Sequence, residues 1–243
     1  MNIQIILLTF LVAFSSISYS DDSKTIVLMT EEFENFTQRD GKGMYWDIFR
    51  TIYEKKGYKV VTKNSPYARS ASLLKKKTIA AIPGVYADEF DYAYFPAKDL
   101  YFDIDKVAAL FKKDSVKSWN GQKTIEGKRV GWIRSYEYHE YLDVKVDYRE
   151  STTRKAAIKM LLKGRLDFFL DPQYELKMAL DNGFADSKVF SFKNVMNLHL
   201  YPAFRKDKKG KKLLDIYSEG LKELKNSGKL KALYGKYDEG YHW

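Results

Sequence analysis

The sequence predicts an α/β protein of two similar lobes, and three observations carry that prediction. A β-α-β-α-β alternation runs from residue 24 to 84, it restarts near residue 128, and one phrase is written twice. "LLKKKTIAAIPG" at 73–84 returns 88 residues later as "LLKGRLDFFLD" at 161–171: a Leu-Leu-Lys helix end, a short basic turn, then an apolar strand. That offset exceeds the roughly 20–50 residues of a solenoid repeat and suits two lobes of one chain. Strands alternating with helices imply mostly parallel sheets covered by helices.

The first lobe opens with the β-rich "KTIVLMT" (24–30) and an acidic loop, "EEFENFTQRDGKG". "MYWDIFRTIYEKKGY" sets Tyr45, Ile48, Phe49, Ile52 and Tyr53 at three- and four-residue spacings and stops at Gly57, the pattern of an amphipathic helix with a C-terminal glycine. "KVVTKN" is a strand. "SPYARSASLLKKK" is a helix with Ser65 as its cap and Pro66 in its first turn, and "TIAAIPG" is a buried strand. In the second lobe "KRVGWI" predicts a strand, "SYEYHEYLD" a helix, "VKVDYR" a strand, and "STTRKAAIKMLLKG" a helix capped by Ser151 or Thr152. "RLDFFLD", "QYELKMALDNG" and "KVFSF" continue as strand, helix and strand. "KVAALFKK" (106–113) and "LHLYPAFRKD" (198–207) flank this lobe as two hinge strands, and residues 211–237 are strongly helical. The predicted division is a leader at 1–20, lobe 1 at 21–109, lobe 2 at 110–201, and a return to lobe 1 with the C-terminal helices at 202–243.

Residues 1–20 contain no charged side chain, carry an apolar run from Ile5 to Phe14 and end in Ser18-Tyr19-Ser20, which predicts a secretory leader cleaved near Ser20. The run is short of the roughly 20 residues that a membrane span needs. The chain has no cysteine, so neither a disulfide framework nor a lipidated Cys is available, and an exported, unanchored periplasmic monomer is expected. The net charge of +10 is concentrated in Lys75–Lys77 and "KDKKGKK" (206–212), each beside a predicted turn. Solvated surface accounts for both, and export argues against nucleic acid as a partner. Three scattered histidines, His139, His199 and His242, offer no usable zinc spacing. There is no G-x-S-x-G elbow or phosphate-binding loop, so neither an enzyme nor a cofactor is expected.

The segments "DGKGMYWDIFRTIYEKKGY", "SPYARSASLL", "GKRVGWIRSYEY", "LLKGRLDFFLD" and "LYPAFRKD", taken in order, resemble the type II periplasmic solute-binding proteins, in the branch related to polar amino-acid binders of ABC importers. The resemblance covers essentially all of the chain after the leader. It implies a two-lobed fold joined by two hinge strands, a small polar solute held in the cleft as the hinge closes, and an ABC permease or a membrane sensor as partner. It also implies an Arg six residues before Phe95 as the ligand's carboxylate clamp, and an Asp five residues beyond Asp167 for its ammonium. Those positions hold Glu89 and Pro172, with Asp171 one short.

Candidate ligand residues follow from position. Glu32 and Phe33, with Phe36, lie in the first loop. Tyr67 and Arg69 share the first turn of a helix, where the resemblance, through its P-aromatic-x-R stretch, implies Arg69 as a replacement anion clamp; its other reading is a pair with Glu31, Glu32 or Glu34. Tyr86 follows a lobe 1 strand. Arg134, Ser135 and Tyr136 open a predicted helix, whose N-terminus favours an anion. Ser151 and Thr152 head the next helix, as ligand contacts or simple caps. Asp171 ends a buried strand, to hold an amine or cap the following helix. The expected ligand is small, polar and anionic or zwitterionic.

Overall fold

The computed structural model describes residues 24–237 and 239–241. The expected leader, its cleavage site near Ser20, and His242 lie outside these residues.

The first lobe is built on β1 (Thr25–Thr30), α1 (Met44–Glu54), β2 (Lys59–Asn64), α2 (Tyr67–Lys75) and β3 (Ala81–Val85), followed by the two-residue β4 (Ala93–Tyr94). The three- and four-residue spacing in α1 buries Tyr45, Trp46, Ile48, Phe49, Ile52 and Tyr53 on one face. Gly43, at φ 128°, starts that helix where a Cβ would lie 2.3 Å from the carbonyl oxygen of Phe36. The second lobe uses β6 (Arg129–Ile133), β7 (Asp147–Ser151), α3 (Arg154–Leu162), β8 (Phe168–Pro172) and α4 (Gln173–Asp181). Two long strands, β5 (Asp103–Lys112) and β9 (Phe190–Arg205), join the halves, and α5 (Lys208–Asn226) and α6 (Lys229–Lys236) return to the first. There Leu213, Tyr217, Leu221 and Tyr234 pack in one core with Phe49 and Tyr53.

The strand order is β2-β1-β3-β9-β5-β8-β6-β7. Read inward from either end it is the same motif: β1 is parallel to β2 and β3, as β6 is to β7 and β8, and β3 and β8 each meet an antiparallel long strand. The repeated phrase therefore falls on α2–β3 and on α3–β8, equivalent places in the two lobes.

Four local expectations are corrected. Residues 135–143 form no α-helix, only a 3-10 turn at Tyr138–Glu140, because Ser135 (φ 69°) and Glu137 (φ 48°) adopt left-handed backbone that a helix cannot contain. The cap of α3 is Thr153, whose hydroxyl accepts the N–H of Ala156 at 3.2 Å, while Ser151 completes β7. Pro66, not Ser65, stands at the cap position of α2. The predicted strand at 188–192 and hinge strand at 198–207 are one continuous strand, β9.

Candidate functional site

The loops after β1, β3 and β6 and the β8–α4 junction converge on the hinge strands, and a cavity of about 270 Å³ lies between the lobes there. Its walls are aromatic and acidic. Phe33, Phe36, Tyr67, Tyr86 and Glu89 come from the first lobe, Asp103 and Asp105 from β5, and Tyr136, Tyr174 and Glu175 from the second. Alternation along β5 sets Asp103 and Asp105 on one face, while Lys106 is exposed.

Hydroxyl–carboxylate bonds organise the walls. Tyr67 donates to Glu89 Oε1 at 2.6 Å, and the Tyr86 backbone N–H donates to Glu89 Oε2 at 3.1 Å. The Tyr86 hydroxyl donates to Asp105 Oδ2 at 2.6 Å. Asp103 accepts from Tyr45 at 2.6 Å and from Tyr234 at 2.8 Å. Burial dominates the titration of Glu89 and Asp105. It pushes the Glu89 carboxyl up to about 7, with Glu137 and Glu140 adding repulsion, and lifts Asp105 to about 7.

A second network ties the lobes together. Arg154, the first residue of α3, donates to Asp171 Oδ2 at 2.7 Å and to the Tyr136 hydroxyl at 3.1 Å, and lies 3.2 Å from Glu175. Tyr136 in turn donates to Glu31 Oε2 at 2.6 Å, from the second lobe to the first. Its ring meets that of Tyr67 edge-on at 5.9 Å, and Tyr86 meets Tyr141 at 5.0 Å. The cleft is closed by aromatic and hydrogen-bonded contacts.

No family model matches the sequence, and a search of curated proteins finds no match. Solved structures do match. The substrate-binding protein of an amino acid ABC transporter superimposes with a TM-score of 0.68 at 20% identity, covering 88% of this chain and 98% of its own. A histidine kinase sensor domain with similarity to periplasmic binding proteins gives 0.70 at 20%, covering 88% and 96%. The chain has the type II periplasmic binding protein fold. An ancestral amino-acid-binding protein, described as a precursor of cyclohexadienyl dehydratase, shares this fold at 0.66 and 17% identity, covering 88% and 95%.

Within this binding-protein fold, Phe33, Tyr67, Tyr86 and Tyr136 line the interlobe cavity. Glu32 does not. It pairs with Arg39 at 2.5 Å and faces a neighbouring cavity of about 670 Å³ lined also by Arg154, Tyr174 and Glu175. Arg69 and Arg134 are exposed and outside both linings, as is Thr152. The backbone N–H of Ser135 donates to Glu150 at 2.8 Å rather than heading a helix. Ser151 is buried, its hydroxyl 3.7 Å from the Met160 sulfur. Asp171 neither caps α4, which has no side-chain cap, nor lines the cavity; its charge is spent on Arg154. Sequence reasoning passed over Tyr45, Asp103, Asp105, Arg154 and Glu175. The D-x-D alternation of "DIDK" at the start of a hinge strand was the available signal for two of them.

Proposed function

We propose that the protein is a periplasmic solute-binding protein that closes its two lobes around one small polar, amino-acid-like molecule and releases it unchanged. The observation that carries this reading is the cavity at the lobe junction, walled by side chains from both lobes and from the strand that joins them. A ligand seated there touches both walls only in the closed form, so its binding energy favours closure by that difference. Phe33, Tyr67, Tyr86 and Tyr136 are the proposed contacts. The volume sits just under the roughly 300–1,000 Å³ of ordinary ligand pockets, which suits a metabolite rather than a peptide.

Closure is the signal a membrane partner would read, either an ABC permease or a sensor, and the solved neighbours include a substrate-binding protein of an ABC transporter and a histidine kinase sensor domain. The test is a thermal-unfolding screen of protein first unfolded and refolded to strip carried-over ligand, against amino acids, amines, carboxylates and sugars. A ligand at about 100 times its Kd adds roughly 2.7 kcal/mol, and a saturable shift for one chemical class is expected. A flat response across every class would overturn the binding reading.

A further inference from the structure

We infer that the cavity receives the cationic end of its ligand, an ammonium or guanidinium group, between the carboxyls of Glu89 and Asp105 and the rings of Tyr67 and Tyr86. The inference rests on the solute-binding reading above and gives its ligand a charge.

Three observations support it. Five carboxyl groups line the cavity against two ammonium groups, and those two, Lys106 and Lys177, are exposed. The guanidinium nearest in the network, Arg154, already serves Asp171, Glu175 and the Tyr136 hydroxyl. The donors are also spent: of six lining tyrosines, Tyr45, Tyr67, Tyr86 and Tyr136 give their protons to carboxylates, Tyr234 gives its proton to the Phe102 carbonyl or to Asp103, and Tyr174 is the exception.

What the walls leave for a ligand is therefore mostly lone pairs and ring faces, both of which attract positive charge. An anion in the same place would meet carboxylates and few free protons. A cation also resolves a cost of closure, because buried carboxylates are tolerable only when paired or neutralised. Among the described residues no group of three acidic, His or Cys side chains is arranged to hold a metal ion, and the ring faces suit an organic cation better.

Isothermal titration with five probes tests this: arginine, agmatine and putrescine as cations, and glutarate and succinate as anionic controls that carry no amine. Binding of at least one cationic probe is expected, and Glu89→Gln should weaken it about 30-fold or more, the loss for one side of a buried charge pair. Gln at 89 keeps one acceptor oxygen, for the Tyr67 hydroxyl or the Tyr86 N–H but not both, and melting checks that the variant remains folded. Asp105→Asn, which removes the other carboxylate and keeps an oxygen for the Tyr86 hydroxyl, is the second variant and should weaken the same probe. Binding of glutarate or succinate without any cationic probe overturns the inference and leaves the solute-binding reading standing. If every probe fails while a neutral solute binds, the charge assignment alone falls; if no solute of any class binds, both fall.

Discussion

Tyr136 stands on the second lobe and hands its hydroxyl proton to Glu31 on the first across 2.6 Å, while Arg154 supports the same oxygen from behind at 3.1 Å. This is a direct polar bond between the lobes, made by side chains that sit far apart in sequence. Tyr136→Phe removes it and keeps the ring. The expected result is a loss of about 0.5–1.5 kcal/mol from the closed state, read as a larger radius of gyration by solution scattering without ligand and a weaker apparent Kd. Unchanged scattering and affinity would mean that the bond does not hold the cleft shut.

Arg154 and Asp171 make a stability prediction. Asp171 is fully buried, and burial outweighs the guanidinium at 2.7 Å and raises its carboxyl to about 8. Arg154→Met should cost about 3–5 kcal/mol, the range for leaving one buried partner alone, and the double change Arg154→Met with Asp171→Asn should recover much of it. Urea unfolding of the parent and the two variants measures this. A single variant as stable as the parent would show that the pair carries no stability.

The pH dependence should run opposite to that of most acids. Glu89 and Asp105 ordinarily titrate near 4.5 and 3.8, and burial raises both to about 7. Between those values the folded chain holds protons that the unfolded chain has lost, so these groups lower stability as pH climbs from about 4 to about 7, with no further change above. Tyr67, the Tyr86 N–H, Glu137 and Glu140 face Glu89; Tyr86, Asp103, Arg154 and Glu175 face Asp105. Melting temperatures across that window should fall with pH in the parent and fall less in Glu89→Gln. Equal slopes would remove Glu89 from the account.

The start of α5 is tightly specified. Asp207 caps it by accepting the N–H of Gly210 at 2.9 Å and pairs with Arg205 at 2.6 Å. A Cβ on residue 210 would lie 1.7 Å from the Arg205 carbonyl oxygen, and backbone must move to admit it. Gly210→Ala should therefore cost about 1–3 kcal/mol or more, above the roughly 1 kcal/mol expected for the lost cap in Asp207→Ala. Chemical denaturation orders the two.

Arg69 supplies the negative control. It is exposed and lines neither cavity, so Arg69→Ala should leave ligand affinity within about twofold, as surface changes do. A large loss by titration would place Arg69 in a ligand contact that this closed arrangement does not contain.

The architecture was legible because it rests on periodicity. The spacing in 44–54 fixed a buried helical face, and the repeated Leu-Leu-Lys phrase marked equivalent places in two lobes. The site was legible only where a residue directly follows a strand or opens a helix, as Tyr86 and Tyr67 do. "SYEYHEYLD" has helical charge spacing, but two non-glycine residues in left-handed backbone break it, and no residue type announces that. The run Ser151-Thr152-Thr153 offers three caps, and only the extension of β7 through Ser151 selects the third. Glu89 was visible as a departure from the resembling family, yet its partnership with Tyr67 depends on how two loops meet in space. Arg154 was hidden for the same reason: its acidic partner Asp171 lies 17 positions further on.

The strands that cross between the lobes are hydrogen-bonded to each other, β5 to β9, from Asp103–Leu200 to Lys112–Phe190. Two separate tethers would let one half wander and twist against the other. A paired ribbon behaves as a leaf spring: it flexes across its face and stays stiff to shear within its plane. In the closing motion proposed above, such a joint would return the lobes along one arc and bring the tyrosines and carboxylates on opposite walls back to the same neighbours.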